Sequence, residues 1–157
     1  MGYGAKEKLE NVIIMRKHLV TFCLLLVAAK GIEAQNVEVT VTGIKSDKGQ
    51  ISVGIFLDNE SFDKEKEYLG YIFQKNDMQD GTITFRLNLE PGLYGLSVLD
   101  DEDSNRKMKY GALGIPKEGF GFSDYYHTGF SKPKFDSFSF TVEKNTVKHI
   151  VVRMRYL

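Results

Sequence analysis

The chain has 157 residues and a mass of 17.8 kDa, enough for one domain. Its 21 Lys+Arg balance 21 Asp+Glu, which excludes a polybasic nucleic-acid binder and an acidic tail. A hydrophobic fraction of 42% against 27% charged excludes a disordered chain, and a single cysteine excludes a disulfide framework.

Residues 15–34, MRKHLVTFCLLLVAAKGIEA, carry the three-part pattern of a secretory signal peptide. Arg16, Lys17 and His18 are the positive start, Leu19 to Ala29 is apolar, and Ile32 and Ala34 stand at −3 and −1 of a cleavage site. A single anchor helix suits the segment less, because the apolar run is short and Lys30 ends it. Residues 1–14 read either as a leader upstream of a start at Met15 or as a long N-terminal region. Cys23 lies inside the apolar run rather than after it, so lipidation is not expected. Cleavage after Ala34 leaves residues 35–157 as a single domain with 16 basic residues, 18 acidic ones and no cysteine. That composition suits an oxidising compartment and removes thiolate metal sites and cysteine nucleophiles.

Within 35–157 the apolar period is two. Val37, Val39 and Val41 predict a first strand, and Ile51, Val53, Ile55 and Leu57 a second. Asp47 and Gly49 lie between them and predict a hairpin. Residues 61–73 read as a short helix or an irregular crossover. A third strand follows over TITFRLNL, with Ile83, Phe85, Leu87 and Leu89 on one face. Glu90-Pro91-Gly92-Leu93 then predicts a tight turn with Gly92 at positive φ, leading into a fourth strand with Tyr94, Leu96 and Val98. Two late strands run through Phe138, Phe140 and Val142, and through Ile150, Val152, Met154 and Tyr156, joined by a turn at 143–145. Six strands without a convincing amphipathic helix predict an all-β, antiparallel sandwich.

The long stretch from Asp100 to Pro133 lacks a strand pattern, and loops of that length tend to carry function. Asp101, Asp103 and Asn105 stand at i, i+2 and i+4, the spacing that lets oxygen ligands converge on a hard cation such as Ca²⁺. Arg106 occupies the place of the sharp-turn glycine, Ala112 that of the closing glutamate, and the competing reading is a solvated acidic turn. Residues 110–130 joint aromatic side chains with glycines, a composition suited to a sugar, a peptide or a partner surface. Phe120 and Phe122 are expected to plug an open end of the sandwich, leaving Glu118, Tyr125, Tyr126 and His127 as the candidate ligand or partner surface. His127 lies near Ser123, Asp124 and Ser131, but no strand–nucleophile–helix turn accompanies them. His149 reads as a surface residue of the last strand. No phosphate-binding loop or nucleotide fingerprint is present.

The string GLYGLSVLDDEDSNRKMKYGALGIPKEGFGFSD resembles the bacterial domain of unknown function family 2141. Gly92, Tyr94 and Val98 match that family's strand, and Asp101, Asp103, Asn105 and Lys107 its acidic loop. Residues 114–116 and 118–123 match its closing motif. The loop departs from the pattern at Asp100, Arg106 and Lys109, where the family has His, Gly and Asp, and these departures count against a cation. The resemblance implies an immunoglobulin-like or prealbumin-like sandwich, exported to the periplasm or cell surface of a Gram-negative bacterium, and implies no chemistry. The expected function is a non-catalytic binding or accessory module of the envelope, serving an unknown envelope protein or small ligand. No membrane span is expected in the mature chain, and no cofactor other than Ca²⁺ at the acidic loop. The alternatives are an envelope hydrolase using His127 and a structural domain that pairs an edge strand with a partner.

Overall fold

Val37, Val39 and Val41 alternate with polar residues, and in the computed structural model, which describes residues 36–157, they form β1 (Val37–Thr42) with all three valines fully buried. The same period two builds β2 (Gln50–Phe56), β4 (Ile83–Leu87), β5 (Gly92–Asp101), β7 (Ser139–Val142) and β8 (Lys148–Arg153). Two further strands, β3 (Leu69–Gln74) and β6 (Phe120–Phe122), bring the total to eight among the described residues. The described part of the chain is therefore all-β. The signal-peptide reading of residues 1–34, with its cleavage after Ala34, lies outside the described residues.

The strands form two sheets, one ordered β4-β1-β8 and the other β3-β2-β5-β6, with β7 also paired to β5. Residues Gly92–Gly95 of β5 pair with β7, and Ser97–Leu99 pair with β6, so the ten-residue strand serves two short partners. The inward faces meet in one core. Val39, Phe85 and Ile150 come from the smaller sheet, and Ile51, Val53, Leu96 and Phe140 from the larger. Each such side chain taken fully out of water contributes about 1.5–3 kcal/mol before the entropy of ordering it is subtracted.

The predicted hairpin between the first two strands does not form. β1 pairs with β4 and β8, whereas β2 pairs with β3 and β5, so the two strands face each other across the core. Gly43 and Gly49 take left-handed φ values of 78° and 70°. Between them Ile44 is buried and donates its N–H to the carbonyl of Gly81 (2.9 Å), which draws the segment away from a hairpin turn. The turn before β5 crosses between sheets in the same way, without a left-handed Gly92, and so does the turn after β7, where Asn145 supplies the positive φ. β8 runs parallel to β1, so the sandwich is not purely antiparallel.

Residues 61–73 hold both an element and a strand. Asp58 caps helix α1 (Asn59–Asp63) through a reciprocal bond pair with Ser61, and the chain then enters β3 at the edge of the larger sheet. Phe120 and Phe122 do not plug an end of the sandwich. Gly121 between them faces the smaller sheet, where a Cβ would meet Val152 Cγ1 at 2.5 Å, so the two phenylalanines point to the outer face of the larger sheet. There Phe122 joins Phe56, Phe62, Phe135 and Phe138 in a second apolar cluster, with Phe120 and Tyr125 packed against it. Phe62 of α1 meets Phe56 edge-on at 5.2 Å and Phe138 at 4.8 Å between centroids.

Candidate functional site

Asp101 ends β5 fully buried, and its carboxylate shapes the loop that follows. Oδ1 accepts from the Asn105 N–H (3.0 Å), while Oδ2 accepts from the Arg106 N–H (2.9 Å) and from Gln50 Nε2 (2.7 Å). Ser104 and Arg106 take left-handed φ values of 59° and 62°. Arg106 thus adopts the conformation that a glycine supplies in a calcium loop, with the strain met by hydrogen bonds to Asp101. Asn105 turns its side-chain oxygen to the Lys107 N–H (2.7 Å).

The chain then doubles back. Tyr110 bridges to Pro116, the Gly111 N–H donates to the Ile115 carbonyl (2.7 Å), and the Lys117 N–H donates to the Lys109 carbonyl (2.8 Å). This excursion returns Glu118 to the acidic loop. Oxygen atoms of Asp101, Asp103 and Glu118 lie within 4.8 Å of one another. Glu118 Oε2 accepts from the Lys109 N–H (2.9 Å), and Asp103 pairs with the Lys109 ammonium at 2.5 Å. That hydrogen bond holds the Asp103 carboxyl below the usual carboxylate range and raises Lys109. Glu118 is only 5% exposed, and its buried Oε1 has no hydrogen-bond partner among the described residues. An acceptor left so costs about 1–3 kcal/mol.

Sequence spacing brought Asp101 and Asp103 together but assigned Glu118 to a different surface. The signal that joins them is the turn-rich GALGIP segment: read as a short hairpin, it sets Lys117 opposite Lys109 and Glu118 beside Asp103.

This loop and the one that follows β6 border an open cleft of about 930 Å³ on the outer face of the larger sheet. Its floor is made of residues with little side chain, Ser52 and Gly54 of β2 and Ser97 of β5. Phe56, Phe62 and Phe120 bring the phenylalanine cluster to the floor's margin. Arg106, Met108 and Tyr110 line it from one loop, and His127, Phe130 and Lys132 from the other. Phe130 is 96% exposed, an apolar lip over a groove bordered by charges of both signs. The Glu67 carboxylate also borders the cleft and lies across two glycines. A Cβ would meet its oxygens at 2.7 Å on Gly54 and at 2.6 Å on Gly70. Desolvation raises the Glu67 carboxyl above its ordinary value, against the opposing pull of Arg106.

Of the other expected surface residues, Tyr125 packs against the phenylalanine cluster, and Tyr126 is exposed with the Arg153 guanidinium 4.9 Å from its ring centre. Neither lines the cleft. His127 is buried, with Nε2 2.7 Å from the Ser131 carbonyl and Nδ1 without a partner among the described residues. The neighbouring hydroxyl and carboxylate are engaged elsewhere. Ser123 Oγ accepts from the Leu96 N–H (3.0 Å) and donates to the Phe138 carbonyl (2.5 Å). Asp124 Oδ1 accepts from the Val151 N–H (2.8 Å). His149 is exposed beside Glu38, 3.2 Å from its carboxylate.

A family model described as an uncharacterized protein conserved in bacteria (DUF2141) matches residues 39–150, most of the strands and the whole of both loops. No curated protein and no solved structure matches the chain.

Proposed function

The chain belongs to this uncharacterised bacterial family, and we propose that it is an exported binding or accessory module of the Gram-negative envelope, non-catalytic and immunoglobulin-like or prealbumin-like in outline. The observation that carries the reading is the cleft on the outer face of the larger sheet. A sheet of a small sandwich ordinarily presents polar side chains outward. Here β2 and β5 present Ser52, Gly54 and Ser97, which open room for a ligand, and aromatic residues flank the space. Aromatic walls with a few charged groups suit a small apolar or amphipathic molecule, or a short segment of a partner. The export signal read from residues 15–34 supports the location.

Two measurements test this. Expressed with its leader in a Gram-negative host, the protein should be released with the periplasmic fraction and begin at Gln35. Retention of the uncleaved chain in the cytosol would overturn the location. For the cleft, the probe is 8-anilinonaphthalene-1-sulfonate, an anionic aromatic that the basic and aromatic lining should hold at one site. Binding should weaken about tenfold in Tyr110→Ala combined with Phe130→Ala, about 1.4 kcal/mol, while cooperative unfolding is retained. No binding by the native protein, or binding indifferent to both substitutions, would remove the cleft as the functional surface.

A further inference from the structure

Among the described residues, three carboxylates converge beside a single ammonium, and one of their oxygens is buried with nothing donating to it. We propose that Asp101, Asp103 and Glu118 form a site for a hard divalent cation, best filled by Ca²⁺. Their oxygens already lie within 4.8 Å of one another, close enough for one ion to touch all three. With Lys109 counted against them, the cluster carries a net charge of −2, which one such ion cancels. The donors are all oxygen, which selects Ca²⁺ or Mg²⁺ over the softer metals that take imidazole or thiolate. Ca²⁺, which accepts irregular coordination by protein carboxylates, suits the cluster better than Mg²⁺, which demands near-octahedral geometry and keeps its waters.

The independent pointer is Glu118. A glutamate 5% exposed ordinarily has both oxygens satisfied, yet Oε1 has no partner among the described residues. An ion supplies what that oxygen lacks. Asp101 is pre-organised for the role, because three hydrogen bonds fix its carboxylate at the base of the loop. Lys109 is the resident competitor: its ammonium holds Asp103 and, being exposed, is free to swing into water when an ion enters. The ligand set differs from the one that spacing alone suggests. Glu118 takes the third place beside Asp101 and Asp103, while the Asn105 side chain turns its oxygen to the Lys107 N–H. Because Asp101 also holds the Arg106 N–H, the ion would stiffen the loop that borders the cleft, but the site stands whether or not the cleft holds a ligand.

Calorimetry of the purified, chelator-treated protein tests it. Addition of 10 mM CaCl₂ should raise Tm by about 5 °C over NaCl of equal ionic strength, as mass action requires for a sub-millimolar site. Asp103→Asn and Glu118→Gln should each abolish the rise, Asn105→Ala should keep it, and Lys109→Gln should tighten calcium binding several-fold. In a heteronuclear spectrum the Asn105 and Arg106 amide signals should move with Ca²⁺. No calcium-specific rise, or a rise unaffected by Glu118→Gln and Asp103→Asn, would overturn the site. Loss of the rise in Asn105→Ala with retention in Glu118→Gln would overturn the ligand set. Asp103 is exposed, so its variant remains informative if Glu118→Gln fails to fold.

Discussion

Glu67 holds its carboxylate over Gly54 and Gly70, partly withdrawn from water, and among the described residues it receives no hydrogen bond. Burial therefore raises its folded-state value above the 4.5 of the free group. For an acid shifted in this direction the folded chain binds the proton more tightly than the unfolded one. Its contribution to stability is full below the unfolded value and is lost as pH rises through the folded value. Glu67→Gln keeps the shape and removes the charge. We expect it to raise Tm at pH 7 and to leave Tm within error of the native protein near pH 4, as read by thermal unfolding at the two pH values. An equal gain at both would mean that the amide packs better for reasons unrelated to charge. A loss at pH 7 would mean that the attraction of Arg106 outweighs the desolvation. Asp103 runs the opposite way: its carboxyl is lowered by Lys109, so its contribution is present above the unfolded value and fades on acidification. The candidate site was partly legible at this level. Asp101 and Asp103 follow from spacing, whereas Glu118 sits 15 positions beyond Asp103 and reaches it only through a hairpin.

The phenylalanine cluster depends on an absence. At Gly95 in β5 a Cβ would lie 2.5 Å from Phe138 Cε2 and 2.8 Å from Phe135 Cε2, so both rings rest directly on the strand backbone. Gly95→Ala forces rings that also meet each other at 5.7 Å to move together. The expected cost is about 1–3 kcal/mol, measurable as a lowered midpoint in urea with unchanged slope. A neutral result would show that Phe135 and Phe138 repack without loss. Strands of this kind announce themselves: each of the six predicted from alternation exists, since a half-buried strand must alternate. β3 and β6 did not announce themselves. β3 is an edge strand with only partial burial, and β6 is a three-residue strand whose middle position is a glycine. The turns misled in a consistent way. Asp47 with Gly49, Pro91 with Gly92, and residues 143–145 all mark where the chain reverses, but a reversal looks alike whether it returns along one sheet or crosses to the other. Pairing partners are chosen by packing between distant segments, as in β1 with β8, and local turn chemistry does not record that choice.

One polar knot ties the larger sheet to the chain's last residues. Lys75 follows β3, is buried, and donates to the carbonyls of Ser46 (2.9 Å) and Lys48 (2.5 Å) and to the carboxylate of Asp100 in β5. Tyr156 donates to the other Asp100 oxygen (2.6 Å) and accepts from the Lys45 N–H (3.0 Å). Burial and the Asp100 carboxylate both push the Tyr156 hydroxyl well above the ordinary phenol range, so it stays a donor throughout the physiological range. The knot thus gathers the β1–β2 crossing, the end of β3, β5 and the segment after β8 at one end of the sandwich. A buried ion pair contributes little net energy compared with apolar packing, but breaking it leaves an unpaired charge. Asp100→Ala strands the Lys75 ammonium and should cost about 3–5 kcal/mol. Tyr156→Phe removes one charge-assisted bond and should cost about 1.5–3 kcal/mol. Joining Asp100→Ala to Lys75→Met should restore part of the first loss, because no charge is then left alone. Urea unfolding of these three variants and of Lys75→Met alone measures all of this. If the double variant is as unstable as the sum of its parts, then Lys75 and Asp100 act separately, and the end of the sandwich is held by packing around Tyr156 and not by the ion pair.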